Sequence, residues 1–378
     1  MKKTDILVIF TGGTIATAPP IKGVKTQEVF HKPVKERCDD DYFLIRKYKD
    51  TQASYLSEHG IRFHTRQPLE TDSSNMTLTH WNILLDDFKA IDFSHYAGVI
   101  ITHGTDTIGY TAPLVAILLS HLTIPVVLVS SNEHLRSPLA NGHKNFMDSV
   151  AFIVTQSSND PDLRKICGTY VAYSYDLRTT TFYIATEVKQ SQAFVNRYES
   201  RTGTDFGYME NNQFYVTNID RANRQHKDSF IHIGQFFDQW GYPGKTVLDR
   251  VSRLDNKVLL LQPYIGLNYE ALQIPTGIEA ILSSTYHSYT FSLSEEPDYN
   301  IHALTGKGVA VYFANYLYNE YAQADSFQGV DFLVGTTTEY AYAKLVIAYN
   351  VFPKANPDTD QAQRAAFLKL AFNNTEFN

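Results

Sequence analysis

Three short apolar runs constrain how this chain can fold more than any other feature of its sequence. They are Ile6-Leu-Val-Ile-Phe10, Gly98-Val-Ile-Ile-Thr102 and Pro125-Val-Val-Leu-Val-Ser130. Each is too short for a typical helix, and none alternates apolar with polar residues as a half-exposed strand does. Continuous apolar runs of this length are typical of strands that are buried on both faces of a parallel sheet. The runs therefore predict an α/β fold with an open parallel sheet.

Helical patterns lie between these predicted strands. Trp81, Leu84, Leu85 and Phe88 follow the i, i+3, i+4, i+7 spacing of an apolar helix face, and residues 111–121 are rich in Ala, Leu and Ile. Parallel strands need crossover connections of this kind. The first part of the chain is thus predicted to alternate strands with helices.

A second, smaller α/β unit is expected after a polar connection. The connection is predicted at about residues 218–230, where the sequence has no apolar period. The elements predicted beyond it are three strands at 258–262, 278–282 and 308–312 and a helix at 338–349. We therefore expect an N-terminal catalytic domain over residues 1–225 and a smaller C-terminal domain over residues 226–378.

Composition narrows the classes of partner. The 378 residues carry a net charge of −7 with no run of Lys or Arg, so the sequence offers no basic surface for nucleic acid or an anionic membrane. Cys38 and Cys167 are the only cysteines, too few for a disulfide framework. The first apolar stretch has only five residues, Ile6 to Phe10, so we interpret it as a strand rather than a signal sequence. We expect a cytoplasmic protein whose partners are small molecules or other subunits.

The residues that follow two of the strands are candidates for function, because ligands of open α/β sheets bind beyond the carboxyl ends of the strands. Thr11-Gly-Gly-Thr-Ile-Ala16 follows the first run, and His103-Gly-Thr-Asp-Thr107 follows the second. Neither has the glycine spacing of a dinucleotide fingerprint or a phosphate loop. His103 has only Asp106 near it in sequence, which predicts no metal site.

Together these two segments resemble the signature motifs of the L-asparaginase/glutaminase family. The similarity continues through Val126-Val-Leu-Val-Ser-Ser-Asn132 and, more loosely, to the segment 335–345. The resemblance implies hydrolysis of L-asparagine to L-aspartate and ammonia, through a threonine nucleophile and an acyl-enzyme. It implies that no cofactor or metal is needed, and that the protein is a homodimer or homotetramer.

The resemblance also assigns catalytic roles to four residues. Thr14, the second threonine of the first motif, corresponds to the nucleophile. Thr105 corresponds to the second catalytic threonine, and Asp106 to its carboxylate partner, which also holds the α-ammonium group of the substrate. Lys189 corresponds to the lysine of that relay. Simpler alternatives are a capping role for the threonine or aspartate side chains and a solvated position for the lysine.

A third segment is similar to the one that grips the α-carboxylate and α-amino groups of the substrate. It is Asp72-Ser-Ser-Asn-Met76, from which we expect Asp72, Ser73 and Ser74 to contact the substrate. Hydroxyl groups and backbone N–H groups at the start of a helix suit an anion. The alternative is an N-capping loop.

The chain departs from the family in two places. The family's mobile lid carries a tyrosine, but residues 17–30 contain none. Either Tyr42 or Tyr48 folds back over Thr14 from a long loop between residues 17 and 50, or the enzyme works without a lid tyrosine. In the smaller domain, Tyr286-His-Ser-Tyr-Thr290 takes the place of the family's Gly-x-Asn turn, with threonine instead of asparagine.

Other functions remain open at this point. The same core could act on glutamine or another small amide, or deliver ammonia as the asparaginase-like subunit of a tRNA amidotransferase. A degenerate member would only bind an amino acid. The presence of Thr14, Thr105, Asp106 and Lys189 favours an enzyme, because a pure binding protein needs neither a second threonine nor a lysine.

Overall fold

The computed structural model describes residues 4–15, 37–38, 42–156, 168–201, 203, 205–217, 237–238, 241–288, 290–316, 329–352 and 357–370. Several sequence predictions fall outside these residues: the lid segment 17–30, the connection 218–230, and Cys167. The division into residues 1–225 and 226–378 therefore stays a prediction.

A nine-stranded sheet and its helices make up the first part of the chain. The elements are β1 (Thr4–Phe10), β2 (Arg37–Cys38), α1 (Phe43–Thr51), α2 (Ala53–Glu58), β3 (Ile61–Arg66), α3 (Leu78–Lys89), β4 (Gly98–Thr102), α4 (Ile108–Leu118), β5 (Pro125–Val129), α5 (Gly142–Gln156), β6 (Gly168–Tyr173), β7 (Thr180–Ile184), β8 (Val188–Lys189), β9 (Glu199–Ser200), β10 (Gly207–Glu210) and β11 (Gln213–Val216). Strands β8 and β9 pair with each other as a separate two-stranded ribbon.

The sheet order is β11-β10-β7-β6-β5-β4-β1-β3-β2. Strands β3, β1, β4, β5 and β6 run parallel to one another. Each strand outside them pairs antiparallel with its neighbour. The three apolar runs are the central strands β1, β4 and β5, and every residue of β4 and β5 is buried. The predicted α/β fold with an open parallel sheet is confirmed, with antiparallel margins that the sequence did not indicate.

The second part of the chain forms a smaller parallel sheet in the order β12-β13-β14-β15. Its elements are α6 (Val247–Arg250), β12 (Val258–Leu261), β13 (Ala280–Ser284), α7 (His302–Thr305), β14 (Ala310–Tyr316), β15 (Val330–Val334), α8 (Thr338–Val351) and α9 (Pro357–Lys369). Helix α8 packs against α4, so apolar residues of both parts share one core cluster.

Alternate residues of β1 face two different cores, as the two-residue period of a strand requires. Leu7 and Ile9 belong to the cluster that contains α3, α4 and α8. Phe10, like the other even-numbered apolar residues of β1, belongs to the cluster that contains α1 and α5. The central strands are thus covered on both faces, which leaves their carboxyl ends for polar residues.

The prediction of a long loop through residue 50 is wrong for residues 43–50, which lie in α1. The helix buries Leu44, Ile45 and Tyr48 and directs its charged residues to the solvent. The apolar face of α1 is only two turns long, and four charged residues interrupt it in the sequence. The sequence therefore shows no clear helical period there.

One buried ion pair ties β3 to α3 and provides a test of the fold. Arg66 Nε donates to Asp87 Oδ1 over 3.0 Å, and the Asp87 side chain is 2% exposed. We expect Asp87→Ala to lower the free energy of unfolding by about 3–5 kcal/mol, because it leaves the Arg66 guanidinium without its partner. The exposed neighbour Asp86 is the matched control, and Asp86→Ala should change stability by less than about 0.5 kcal/mol. Equal losses in urea denaturation would contradict the assignment.

Candidate active site

Three loops meet at the carboxyl ends of β1 and β4. Gly12 and Gly13 have φ of 102° and 75°, in the left-handed region that favours glycine. A Cβ atom on Gly12 would lie 2.4 Å from the Thr71 backbone, and one on Gly13 would lie 2.8 Å from Gly104. Gly13 N–H donates to the Thr71 carbonyl over 3.0 Å. The two glycines therefore let the first motif contact both the second motif and the segment that begins at Thr71.

Ser73 holds the second motif through two hydrogen bonds. Its Oγ accepts from the N–H of Asp106 over 3.1 Å, and its carbonyl accepts from Thr107 Oγ1 over 2.9 Å. The side chain is buried, so Ser73 supports the loop rather than presenting a hydroxyl to solvent. Asp72 and Ser74 are exposed, and within the described residues their side chains have no hydrogen-bond partner.

The two threonines of the first motif have different environments. Thr11 is buried, and its hydroxyl donates to the Thr102 carbonyl over 2.6 Å, which ties β1 to β4. Thr14 is half-buried, and its hydroxyl donates to the Ser131 carbonyl over 3.1 Å at the end of β5. A capping threonine accepts from a backbone N–H. Thr14 donates to a carbonyl, and the backbone N–H groups that its hydroxyl would cap belong to residues outside those described.

Thr105 and Asp106 line a cavity of about 400 Å³. Thr105 is half-buried and Asp106 is exposed. The N-cap of α4 is Thr107 rather than Asp106, so the carboxylate is not used for capping. The rest of the cavity wall comes from Tyr173 and residues 190–198.

Two residues that the sequence analysis missed hold Thr105 in place. Gln190 Nε2 donates to the Thr105 carbonyl over 2.7 Å, and the Tyr198 hydroxyl donates to it over 3.2 Å. Burial raises the pKa of Tyr198, and the negative charge of Asp106 adds to the shift. Both residues lie in the segment that connects β8 to β9, Gln190 directly after Lys189 and Tyr198 directly before Glu199. Both residues are far from either motif in the sequence, so no local pattern indicated that they contact Thr105.

Lys189 lies on β8, opposite Glu199, and is half-buried. Within the described residues, no hydrogen bond or ion pair joins it to Asp106. Its charge instead acts on Glu339 of α8, a carboxyl whose pKa is raised by burial and lowered in part by a hydrogen bond from Gln190 and by Lys189. The ribbon thus brings Lys189 to the region of the site, and its role in a relay with Asp106 stays a prediction.

The two candidate lid tyrosines are in unlike positions. Tyr48 is 2% exposed and contacts Phe63 and Phe146 edge-on in the core, which removes it as a candidate. Tyr42 stacks on Phe10 with 3.9 Å between ring centroids, and its hydroxyl donates to Gln67. It therefore lies beside the last residue of β1, immediately before the first motif.

In the smaller sheet, the carbonyl of Thr290 accepts from the N–H of Tyr286 over 2.8 Å. This closes a turn shortly after β13, and Thr290 is exposed at its end. That this turn takes the place of the family's Gly-x-Asn turn stays a prediction.

His103 is fully buried, and its Nδ1 lies 2.8 Å from the Gly104 carbonyl, so we assign the ring proton to Nδ1. Among the described residues, no three His, Cys, Asp or Glu side chains are grouped closely enough to hold a metal ion. The described helices include none that is long and apolar enough to span a membrane.

The fold and these loops define an α/β protein with a large, mainly parallel sheet, a smaller parallel sheet, and hydroxyl-rich loops at the ends of the central strands. The family model described as "Asparaginase, N-terminal" matches residues 5–212, a range that holds Thr14, Thr105, Asp106 and Lys189. The chain therefore belongs to the asparaginase family.

Relatives and solved structures agree with this membership. The chain is 29% identical over 163 residues to L-asparaginase 1 of Escherichia coli K12, which is 43% of this chain and 44% of that one. It is 27% identical over 218 residues to the L-asparaginase of Thermococcus kodakarensis, 57% of each chain. The matches thus span about half the length of these relatives.

The structure of L-asparaginase I from Vibrio cholerae superposes with a TM-score of 0.66 at 18% identity, over 100% of both chains. That of the thermostable L-asparaginase from Thermococcus kodakarensis superposes with a TM-score of 0.65 at 18% identity, over 99% of this chain and 100% of that one. These likenesses show that the whole chain shares their fold.

The buried His103 leads to a prediction about pH. Burial lowers its pKa from 6.5 to about 4, so between these values the unfolded chain binds a proton that the folded protein excludes. The free energy of unfolding should therefore fall as the pH drops from 6.5 to 4, with about 3 kcal/mol of that loss due to His103. His103→Gln should flatten this pH dependence, whereas His134→Gln, at an exposed position, should not. Parallel curves for His103→Gln and the parent protein in urea titrations would contradict the assignment.

Proposed function

We propose that this protein hydrolyses the side-chain amide of a small amino acid, L-asparagine in the first place, with Thr14 as the nucleophile. The observation that carries the proposal is the close approach of Gly13 to Gly104, by which the backbones of the two motifs lie next to each other. Family membership through residues 5–212 supports the same chemistry.

In the proposed reaction, Thr14 Oγ attacks the amide carbon, the carbon–nitrogen bond breaks, and ammonia leaves with the proton of the hydroxyl. Water then attacks the ester, the carbon–oxygen bond to Thr14 breaks, and aspartate is released. A backbone N–H or a bound water would stabilise the oxyanion in each step. The product acid and ammonia account for all atoms of asparagine and water.

A hydroxyl group is a weak nucleophile unless a neighbouring group accepts its proton. The Ser131 carbonyl, which now accepts the hydrogen bond of Thr14, is not a base at neutral pH. We assign proton transfer to a relay of Thr105, Asp106 and Lys189, as the resemblance implies. The relay requires the ammonium of Lys189 to come within hydrogen-bond reach of Asp106.

Exposed polar groups of the second motif and of the segment that Ser73 joins to it suit an amino-acid substrate. Asp106, which lines the cavity, presents a carboxylate for the α-ammonium group, and Asp72 presents a second one. Ser74 and the start of the short helix Ser73–Asn75 offer a hydroxyl and backbone N–H groups for the α-carboxylate. We propose that Ser73 acts by holding Asp106 through its backbone, and that the enzyme works as a homodimer or homotetramer in the cytoplasm.

Three substitutions test the catalytic roles. We expect Thr14→Ala, Thr105→Val and Lys189→Met each to lower kcat for ammonia release by about 10²–10⁴-fold, because each removes a reacting or proton-transferring group. Thr11→Val is the matched control: it removes a buried hydroxyl that bonds Thr102, so it should reduce stability and change kcat little.

Ammonia release is measured with asparagine and glutamine separately, which also decides between the two substrates. Near-normal turnover in any of the three variants would refute the role of that residue. Release from neither amide by the parent protein, together with binding of an amino acid, would favour the degenerate binding protein.

A fourth substitution concerns Tyr42. If its hydroxyl turns from Gln67 to Thr14 when substrate binds, Tyr42→Phe should slow the first acylation by about 100-fold and leave the ring stacked on Phe10. Tyr48→Phe is the control, because its ring lies in the core. The measurement is the acyl-enzyme burst in rapid quench. An unchanged burst in Tyr42→Phe would leave Thr105, Asp106 and Lys189 as the only activating groups of the proposal.

A further inference from the structure

Gln190 connects three separate segments through its hydrogen bonds. Its Nε2 donates to the Thr105 carbonyl over 2.7 Å, and its Oε1 accepts from Gly109 N–H over 2.9 Å in the first turn of α4. Its own N–H donates to Glu339 Oε1 over 2.8 Å. One side chain thus holds both the middle of the second motif and the start of the helix that follows it.

Gln190 lies close against the backbone of Gly109 in α4. A Cβ atom on Gly109 would lie 2.9 Å from Gln190, so the glycine allows the ribbon to approach α4 this closely. The amide of Gln190 offers a donor and an acceptor at once, which matches a carbonyl on one side and an N–H on the other. No apolar or acidic side chain of similar size can form both bonds at neutral pH.

Glu339 is 9% exposed and lies in the first turn of α8, after the N-cap Thr337. A buried carboxylate costs free energy unless hydrogen bonds and charges compensate for it. Gln190 N–H and the charge of Lys189 compensate in part, and the Tyr110 side chain on α4 also lies within electrostatic reach. Helix α8 therefore holds Gln190 through Glu339, a carboxylate whose burial costs free energy.

We propose that Gln190 and Glu339 are positioning residues for Thr105, so that the smaller sheet helps to set the geometry of the active site. Glu339 holds the Gln190 backbone, and the Gln190 amide holds the Thr105 carbonyl. This inference rests on the proposed function, because Thr105 is assigned there as a catalytic residue. A displacement of about 1 Å of such a residue costs about 10²-fold in rate.

The test compares Gln190→Met, Glu339→Ala and the double variant for kcat and KM in amide hydrolysis. We expect each single substitution to lower kcat at least about 10-fold and to change KM less than about threefold, because Thr105 acts in the reaction step. If both act through one linkage, the double variant should lose no more than the worse single variant. Glu339→Gln keeps an oxygen that accepts from Gln190 N–H and should restore most of the kcat lost in Glu339→Ala.

Gln363, a buried glutamine of α9, provides the control for the Gln→Met change, and Gln363→Met should leave kcat unaltered. Additive losses in the double variant, or a normal kcat in Gln190→Met, would overturn the proposal.

Amide hydrogen exchange at Gly109 gives a readout that needs no catalysis. Gln190→Met should accelerate exchange of this amide at least about 10-fold relative to the parent protein, because its acceptor is removed. If the parent protein releases no ammonia from either amide, the proposed function fails, while the exchange result still decides whether Gln190 anchors this loop. Unchanged exchange at Gly109 would show that it does not.

Discussion

The close approach of Gly13 to Gly104 is the contact on which the rest of the site depends. It is possible because β1 and β4 are parallel neighbours in the sheet, with Phe10 paired to Thr102. The two segments that follow these strands therefore leave the sheet at the same level. A side chain on either glycine would occupy the space of another backbone or of Ser73. The parallel register and the absence of two Cβ atoms together place both motifs at one edge.

The second sheet participates in this arrangement through one helix. Helix α8 packs on α4, and α4 begins directly after the second motif. The first turn of α8 carries Glu339, which holds Gln190, and Gln190 bonds to both the motif and α4. The smaller unit therefore reaches the second motif through two side chains, Glu339 and Gln190.

Residue type alone does not tell which side chains at this site support the loops and which can contact a ligand. Thr11 and Thr14 belong to one motif, yet Thr11 is buried on the Thr102 carbonyl while Thr14 is half-buried at the end of β5. Ser73 and Ser74 are adjacent, yet only Ser73 is used to hold the second motif. In each pair, the direction in which the backbone points the side chain decides whether it supports the loop or can contact a ligand.

The sequence by itself determined the central strands β1, β4 and β5, the helices α3 and α8, and the two motifs at the strand ends, because each depends on a local pattern of apolar residues, glycines and hydroxyls. It did not indicate α1, the antiparallel margins, or Gln190 and Tyr198 as partners of Thr105. Those features arise from contacts between residues far apart in the chain, such as the 85 positions between Gln190 and Thr105. Only the tertiary structure could decide them, because side-chain hydrogen bonds across such distances leave no periodicity in the sequence.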